Sequence, residues 1–153
     1  MSIFSQQFTT GQVCAAADVS NATLQSWLRQ DRFIGHKRAD DAIQGGGTPG
    51  ARRRYSFHNV MEISVAKALI DVGMRDVDHS FAAAMRFAHA GHGALPGIRP
   101  ARNPGCPFDD RDEKQFTILC ARNDQSLITR WMPNHDFFPE VRHRLGGGFV
   151  TLE

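Results

Sequence analysis

A chain of 153 residues with a hydrophobic share of 41% has room for one ordinary domain or two small ones around a true apolar core. The formal net charge is only +2, so no chain-wide basicity announces a polyanionic partner and charge has to be read by region. Cys14, Cys106 and Cys120 are widely spaced, odd in number and without a C-x-x-C pair, which excludes a disulfide framework or a zinc ribbon and suits a reducing cytoplasm. No charged leader precedes a long apolar run, and no stretch approaches the roughly 20 apolar residues that span a bilayer. A soluble, unexported protein with no membrane partner is expected.

The first helix is expected to begin at Thr9 or Thr10, whose hydroxyl can accept from a free N–H of the first turn, with Val13, Ala16 and Ala17 as its apolar face. Asp18 and Val19 make a turn. Ser20 caps a second helix in which Leu24, Trp27 and Leu28 recur at helical spacing, leaving Asn21, Gln25, Ser26 and Arg29 outward. Between Phe33 and Tyr55 lies Gly45-Gly46-Gly47-Thr48-Pro49-Gly50, too broken for a helix. It reads as a hairpin with a long tip and extended arms at Phe33-Ile34 and Arg53-Tyr55. From Arg29 to Tyr55 the basic residues Arg29, Arg32, Lys37, Arg38, Arg52, Arg53 and Arg54 face only Asp31, Asp40 and Asp41, one local basic block.

Ser56 is placed to cap a third helix running to about Val72, with Val60, Ile63, Ala66, Lys67 and Ile70 in period and Gly73 as its stop. A fourth helix, about 76–90, is expected to bury Val77, Phe81, Met85 and Ala88. Residues 91–114 hold four prolines and an acidic run and read as a linker or irregular loop. Alternation then takes over: Phe116, Ile118 and Cys120 on one face, Asn123-Asp124 as a turn, and a second strand from Leu127 to Met132. Asp136 caps a short helix with Phe137, Phe138, Val141 and Leu145 inward, and Phe149 to Leu152 form a last strand. The expected organisation is α+β: residues 1–90, a linker at 91–114, and a β-β-α-β unit at 115–153. So small a unit has to pack on something, either the third and fourth helices or its copy in a second chain.

The order helix, turn, helix, arginine hairpin is that of a winged helix-turn-helix, and residues 8–75 resemble the DNA-binding domain of the MerR family of bacterial regulators. The residues that carry the resemblance are Phe8-Thr9-Thr10-Gly11, Val19-Ser20, Thr23-Leu24, Trp27 and Arg53-Arg54-Tyr55-Ser56, followed by Val60 and Gly73. Three features depart from the family. Asn21-Ala22 stands where Pro-Arg is frequent, the wing is longer and richer in glycine, and no long dimerisation helix or effector pocket follows. Phage excisionases and compact regulators use the same domain to bend DNA or assemble on it.

The resemblance implies double-stranded DNA as partner, with the second helix in the major groove, whose roughly 12 Å width matches a helix, and the wing on backbone or minor groove. Asn21 and Gln25 carry amides that can pair with adenine, and Arg29 reaches guanine or phosphate. Thr23 and Ser26 are short and suit phosphate or a thymine methyl, and Thr10 and Ser20 complete the expected contact set. Alternation sends Arg52 and Arg54 one way and Arg53 the other, so one or two of them hold phosphates and the rest pair with an acid or lie in solvent. Lys37 and Arg38, with His36, extend the track on the outward leg. Tyr55 has two roles open to it, a hydroxyl on phosphate or a ring packed under the wing.

No cofactor and no catalytic group is indicated. The glycine tract lacks the Gly-Lys-Ser/Thr of a P-loop, and neither His135-Asp136 nor the run Asp109 to Glu113 sits near a nucleophile or metal motif. His89 and His92 could ligate a metal, but a histidine at a helix end also complements the dipole, and no metal is assigned. Cys106 is either an oxidisable loop thiol or a chance cysteine. The expectation is a cytoplasmic, nucleoid-associated, sequence-specific regulator binding as a homodimer, with its C-terminal unit serving assembly or contact with RNA polymerase or another protein. The alternatives are an excisionase-like architectural protein that bends DNA, and a protein-interaction adaptor tethered to DNA.

Overall fold

The computed structural model describes residues 5–33, 35, 42–46, 50–90, 116–122, 125–131, 136, 138–146 and 150–152. The fold is α+β, with a two-stranded and a three-stranded antiparallel sheet. Strand β1 (Gln7–Thr9) runs directly into helix α1 (Thr10–Ala17), and α2 (Asn21–Arg29) follows a three-residue turn. Thr9 is the cap of α1: the Gln12 N–H donates to Thr9 Oγ1 (3.3 Å) while the Thr9 N–H donates to Gln12 Oε1 (2.9 Å), a reciprocal capping box. Asp18 takes a left-handed conformation (φ 48°) to make the turn. Val13 and Ala17 of α1 are buried. Ala16 is exposed, against expectation, because the short helix meets its neighbours along only a narrow stripe.

Strand β2 (Arg54–Ser56) pairs with β1, with Gln7 opposite Ser56 and Thr9 opposite Arg54. The outward arm expected at Phe33-Ile34 is therefore corrected: Phe33 is buried in the core, and Ile34 lies outside the described residues. The local hairpin is closed instead by Gln44, which exchanges N–H···O bonds with Arg54 (3.1 and 2.8 Å), and by Gly46, whose N–H donates to the Ala51 carbonyl (3.1 Å). Ser56 caps helix α3 (Phe57–Asp71) by accepting the Asn59 N–H (3.2 Å). Asp76 caps α4 (Val77–Met85), which widens into a single π turn at Arg86–Ala90 where a continuous α-helix was expected.

One core joins Val13, Ala17, Val19, Leu24, Trp27, Phe33, Tyr55, Val60, Ile63, Ala66, Phe81 and Ala84. At its centre Phe81 takes Trp27 edge-on at 5.1 Å and Phe33 at 6.3 Å between ring centroids. Leu69 closes the inner face of α3, a position the expected period assigned to Ile70 and Lys67. Lys67 is instead half-exposed and pairs with Asp71 at 2.5 Å.

The C-terminal unit is β3 (Phe116–Ala121), β4 (Ser126–Trp131), α5 (Phe138–Leu145) and β5 (Val150–Leu152), in sheet order β4-β3-β5. Of the two ways open to it, this unit folds back on the helices. Leu119 and Ala121 pack with Leu69, Met74 and Ala83 of the α3–α4 region, while Ile118 and Cys120 point the other way onto Val141 and Leu145 of α5. The central strand is thus buried on both faces. Burial pushes the Cys120 thiol up to about 11, so it stays protonated and unreactive at neutral pH. Asp136 accepts the Phe138 N–H (3.0 Å), and Arg122 Nη1 donates to the Leu145 carbonyl at the other end of α5 (2.6 Å). Phe138, expected inward, is 53% exposed because only the Val141 and Leu145 side of α5 meets the sheet. The expected linker, Phe137 and His92 lie outside the described residues, among which no helix is long and apolar enough to cross a membrane.

Because Leu119 holds the C-terminal sheet against α3 and α4, Leu119→Ala is expected to cost about 2–5 kcal/mol of stability. Denaturant unfolding of the full chain measures this. A loss below 1 kcal/mol would show that the two layers are not held by that contact.

Candidate nucleic-acid interface

Helix α2 begins at Ser20, whose hydroxyl accepts the Thr23 N–H (3.0 Å) and lies 2.8 Å from the Thr23 hydroxyl. Both short side chains are thereby ordered at the start of the helix. Leu24 and Trp27 anchor the inner side, and Arg32, just beyond α2, pairs with Asp78 of α4 at 3.3 Å. With the inner face fixed, Asn21 and Arg29 are exposed and Gln25 and Ser26 are half-exposed. Asn21, Gln25 and Arg29 follow one another at i, i+4 and i+8, so they form a single outward row.

The arginine leg meets this row. Arg52 and Arg54 are exposed and Arg53 is half-buried, the alternation an extended segment imposes. Arg53 turns toward α2, where its Nη1 donates to Gln25 Oε1, and Gln25 Nε2 donates in turn to Asn21 Oδ1 (3.3 Å). Gly46 makes room for this: a Cβ there would lie 2.5 Å from Arg53 Cγ and Nε. Among the described residues, Arg29, Arg52 and Arg54 have no acidic partner. Alternation turns Arg52 and Arg54 away from the side on which Arg53 reaches α2. Lys37, Arg38 and His36 lie outside the described residues.

Of its two open roles, Tyr55 takes the packed one. Its side chain is fully buried and its hydroxyl has no partner of hydrogen-bonding geometry among the described residues, so a phosphate cannot reach it in this conformation. Burial pushes its pKa up, against the smaller opposing pull of the nearby Thr10 hydroxyl and the Arg53 charge. Thr10, half-buried at the first position of α1, thus lies close to the base of the arginine leg.

A buried polar cluster, absent from the expected site residues, braces the segment after α2. Glu62 and His89 are both fully buried with Oε2 and Nε2 at 2.7 Å. The Gly35 N–H donates to both Glu62 oxygens (3.2 and 3.0 Å). An ionised Glu62 accepts from both directions, which requires the proton of His89 on Nε2. Of the two histidines that spacing offered to a metal, His92 lies outside the described residues. His89 faces a carboxylate, and among the described residues no three His, Cys, Asp or Glu converge on a metal position. The only signal that could have flagged this cluster is Gly35 itself, an isolated glycine outside the glycine tract.

Two outcomes follow from these contacts. A Cβ at Gly35 would stand 2.0 Å from His89 Nε2 and 2.2 Å from Glu62 Oε2, so Gly35→Ala is expected to destabilise the fold by about 1–3 kcal/mol or more in denaturant melts. Tyr55→Phe removes a buried hydroxyl that has no partner among the described residues and is expected to leave stability unchanged or raised. A loss above 1 kcal/mol would reveal a partner for that hydroxyl.

Compared with models of protein families and with curated protein sequences, the chain matches none significantly.

Proposed function

We propose that the chain is a sequence-specific double-stranded DNA-binding regulator of the winged helix-turn-helix, MerR-like type, with α2 entering the major groove and the arginine leg acting as the wing. The observation that carries this reading is the contact of Arg53 with Gln25. It joins the outward row of α2 to the arginine leg, as a duplex contacted by both elements would require. The amide and hydroxyl groups of exposed Asn21 and half-exposed Gln25 and Ser26 suit base edges, and Arg29, Arg52 and Arg54 suit phosphates, which position a protein without reading sequence. Homodimeric binding belongs to the same proposal: a twofold dimer sets two copies of α2 at half-sites about one helical turn apart.

Selection from a random duplex pool at fixed salt tests the reading, and a defined motif arranged as an inverted repeat is the expected result. Arg52→Ala and Arg54→Ala are expected to weaken binding to all duplexes alike, each lost phosphate contact making the log-log salt slope shallower by about 0.9. Absence of duplex binding at low salt, or an unchanged slope in both variants, would remove this surface from a DNA interface. Light scattering with footprinting checks the dimer.

A further inference from the structure

We propose that Gln25 and Arg53 form one guanine-reading unit in which Arg53 makes the base contact and Gln25 positions it; the inference rests on the DNA-binding reading above. An isolated glutamine pairs with adenine by using its carbonyl and its amide N–H together, accepting from N6 and donating to N7. Here both ends of the Gln25 amide are engaged. Its Oε1 accepts from Arg53 Nη1, and its Nε2 donates to Asn21 Oδ1 at 3.3 Å. Asn21 Oδ1 accepts that one bond, so each amide oxygen keeps a single further lone pair. The groups this hydrogen-bond chain leaves unused are mostly N–H: the remaining donors of the Arg53 guanidinium, the amide hydrogens of Asn21, and the second Gln25 hydrogen.

A surface of donors matches guanine, which presents two acceptors, O6 and N7, in the major groove, and mismatches the donor N6 amine of adenine. Arg53 is also held for such a contact in a way Arg52 and Arg54 are not. It is half-buried where they are exposed, its stem lies across Gly46, and its head is tied to α2. A guanidinium whose direction is already fixed loses less freedom on pairing, so it gains discrimination as well as charge. Arg53 is therefore assigned to base reading, and the phosphate role stays with Arg52 and Arg54.

The experiment measures affinity of the full chain for the selected duplex and for versions carrying each of the four bases at every position, at one salt concentration. The variants are Gln25→Ala, Arg53→Ala, Arg53→Lys and the double Gln25→Ala/Arg53→Ala, each checked by circular dichroism. The parent is expected to prefer guanine at one position. Both alanine variants should reduce that preference by about 5- to 150-fold, and the double variant should lose no more than the worse single, since the two act as a unit. Arg53→Lys, which keeps the charge but not the planar fork, should lose the preference as Arg53→Ala does, and a lysine variant that keeps it would overturn the inference. A position preferring adenine that Gln25→Ala relaxes and Arg53→Ala leaves intact would overturn the inference while leaving DNA binding standing, as would additive losses at separate positions. Failure of the parent to bind duplex would overturn the DNA-binding reading and this inference with it.

Discussion

The packing of Phe81 governs where the polar face of α2 ends up. This single ring, on α4, receives Trp27 edge-on from α2 and Phe33 from the segment that follows it. Edge-to-face contacts between aromatic rings carry a directional preference beyond the area they bury. Three rings meeting in this way fix the rotation of α2 about its axis as well as its distance from the body. Once Trp27 is held, helical geometry leaves no freedom for Asn21, Gln25 and Arg29, which lie on the other side. Phe33 carries the same restraint past the end of α2, so the chain leaves toward the arginine hairpin from a fixed point.

That exit is braced a second time, by polar contacts. Burying a carboxylate costs several kcal/mol unless it is well satisfied, and Glu62 is satisfied by the Gly35 N–H and by His89. The three groups come from the segment after α2, from α3 and from the π turn beyond α4. Bulging that last turn changes which way its side chains project, and His89 projects from it inward against Glu62. Apolar packing alone tolerates a slide between elements, whereas this cluster has one geometry in which every partner is met. Gly35 has to lack a side chain for the groups to come so close.

The sequence disclosed most where the deciding interaction is local. The caps at Thr9, Ser20, Ser56 and Asp136 are each a side chain reaching a backbone N–H two or three residues on, and such contacts leave a pattern in the residues themselves. The β-β-α-β order of the C-terminal unit was legible for a similar reason, since alternation and its breaks are short-range. Long-range choices were not. Arg54 to Ser56 find a partner in three residues near the start of the chain, a strand too short to show alternation, and Phe33 reads equally as strand or core. The row of Asn21, Gln25 and Arg29 could be read from helical period, but the turn of Arg53 toward Gln25 depends on Gly46 lying beneath it, which no periodicity encodes.

The two-sided burial of α3 and α4 connects these layers to the candidate interface. A helix apolar on more than one side has to be covered on more than one side, and here Val60, Ile63, Ala66, Phe81 and Ala84 face the N-terminal core while Leu69 and Ala83 meet the C-terminal sheet. The C-terminal unit is therefore held on apolar residues of the helical body that the N-terminal core does not use. Its strand β3 spends both faces on packing, one on the helices and one on α5. The outward row of α2 and the exposed Arg52 and Arg54 contribute nothing to any of the three apolar clusters. Their residue types are thus free of core constraint, and the run of amides and guanidinium groups along α2 and the arginine leg is a property that core packing does not require.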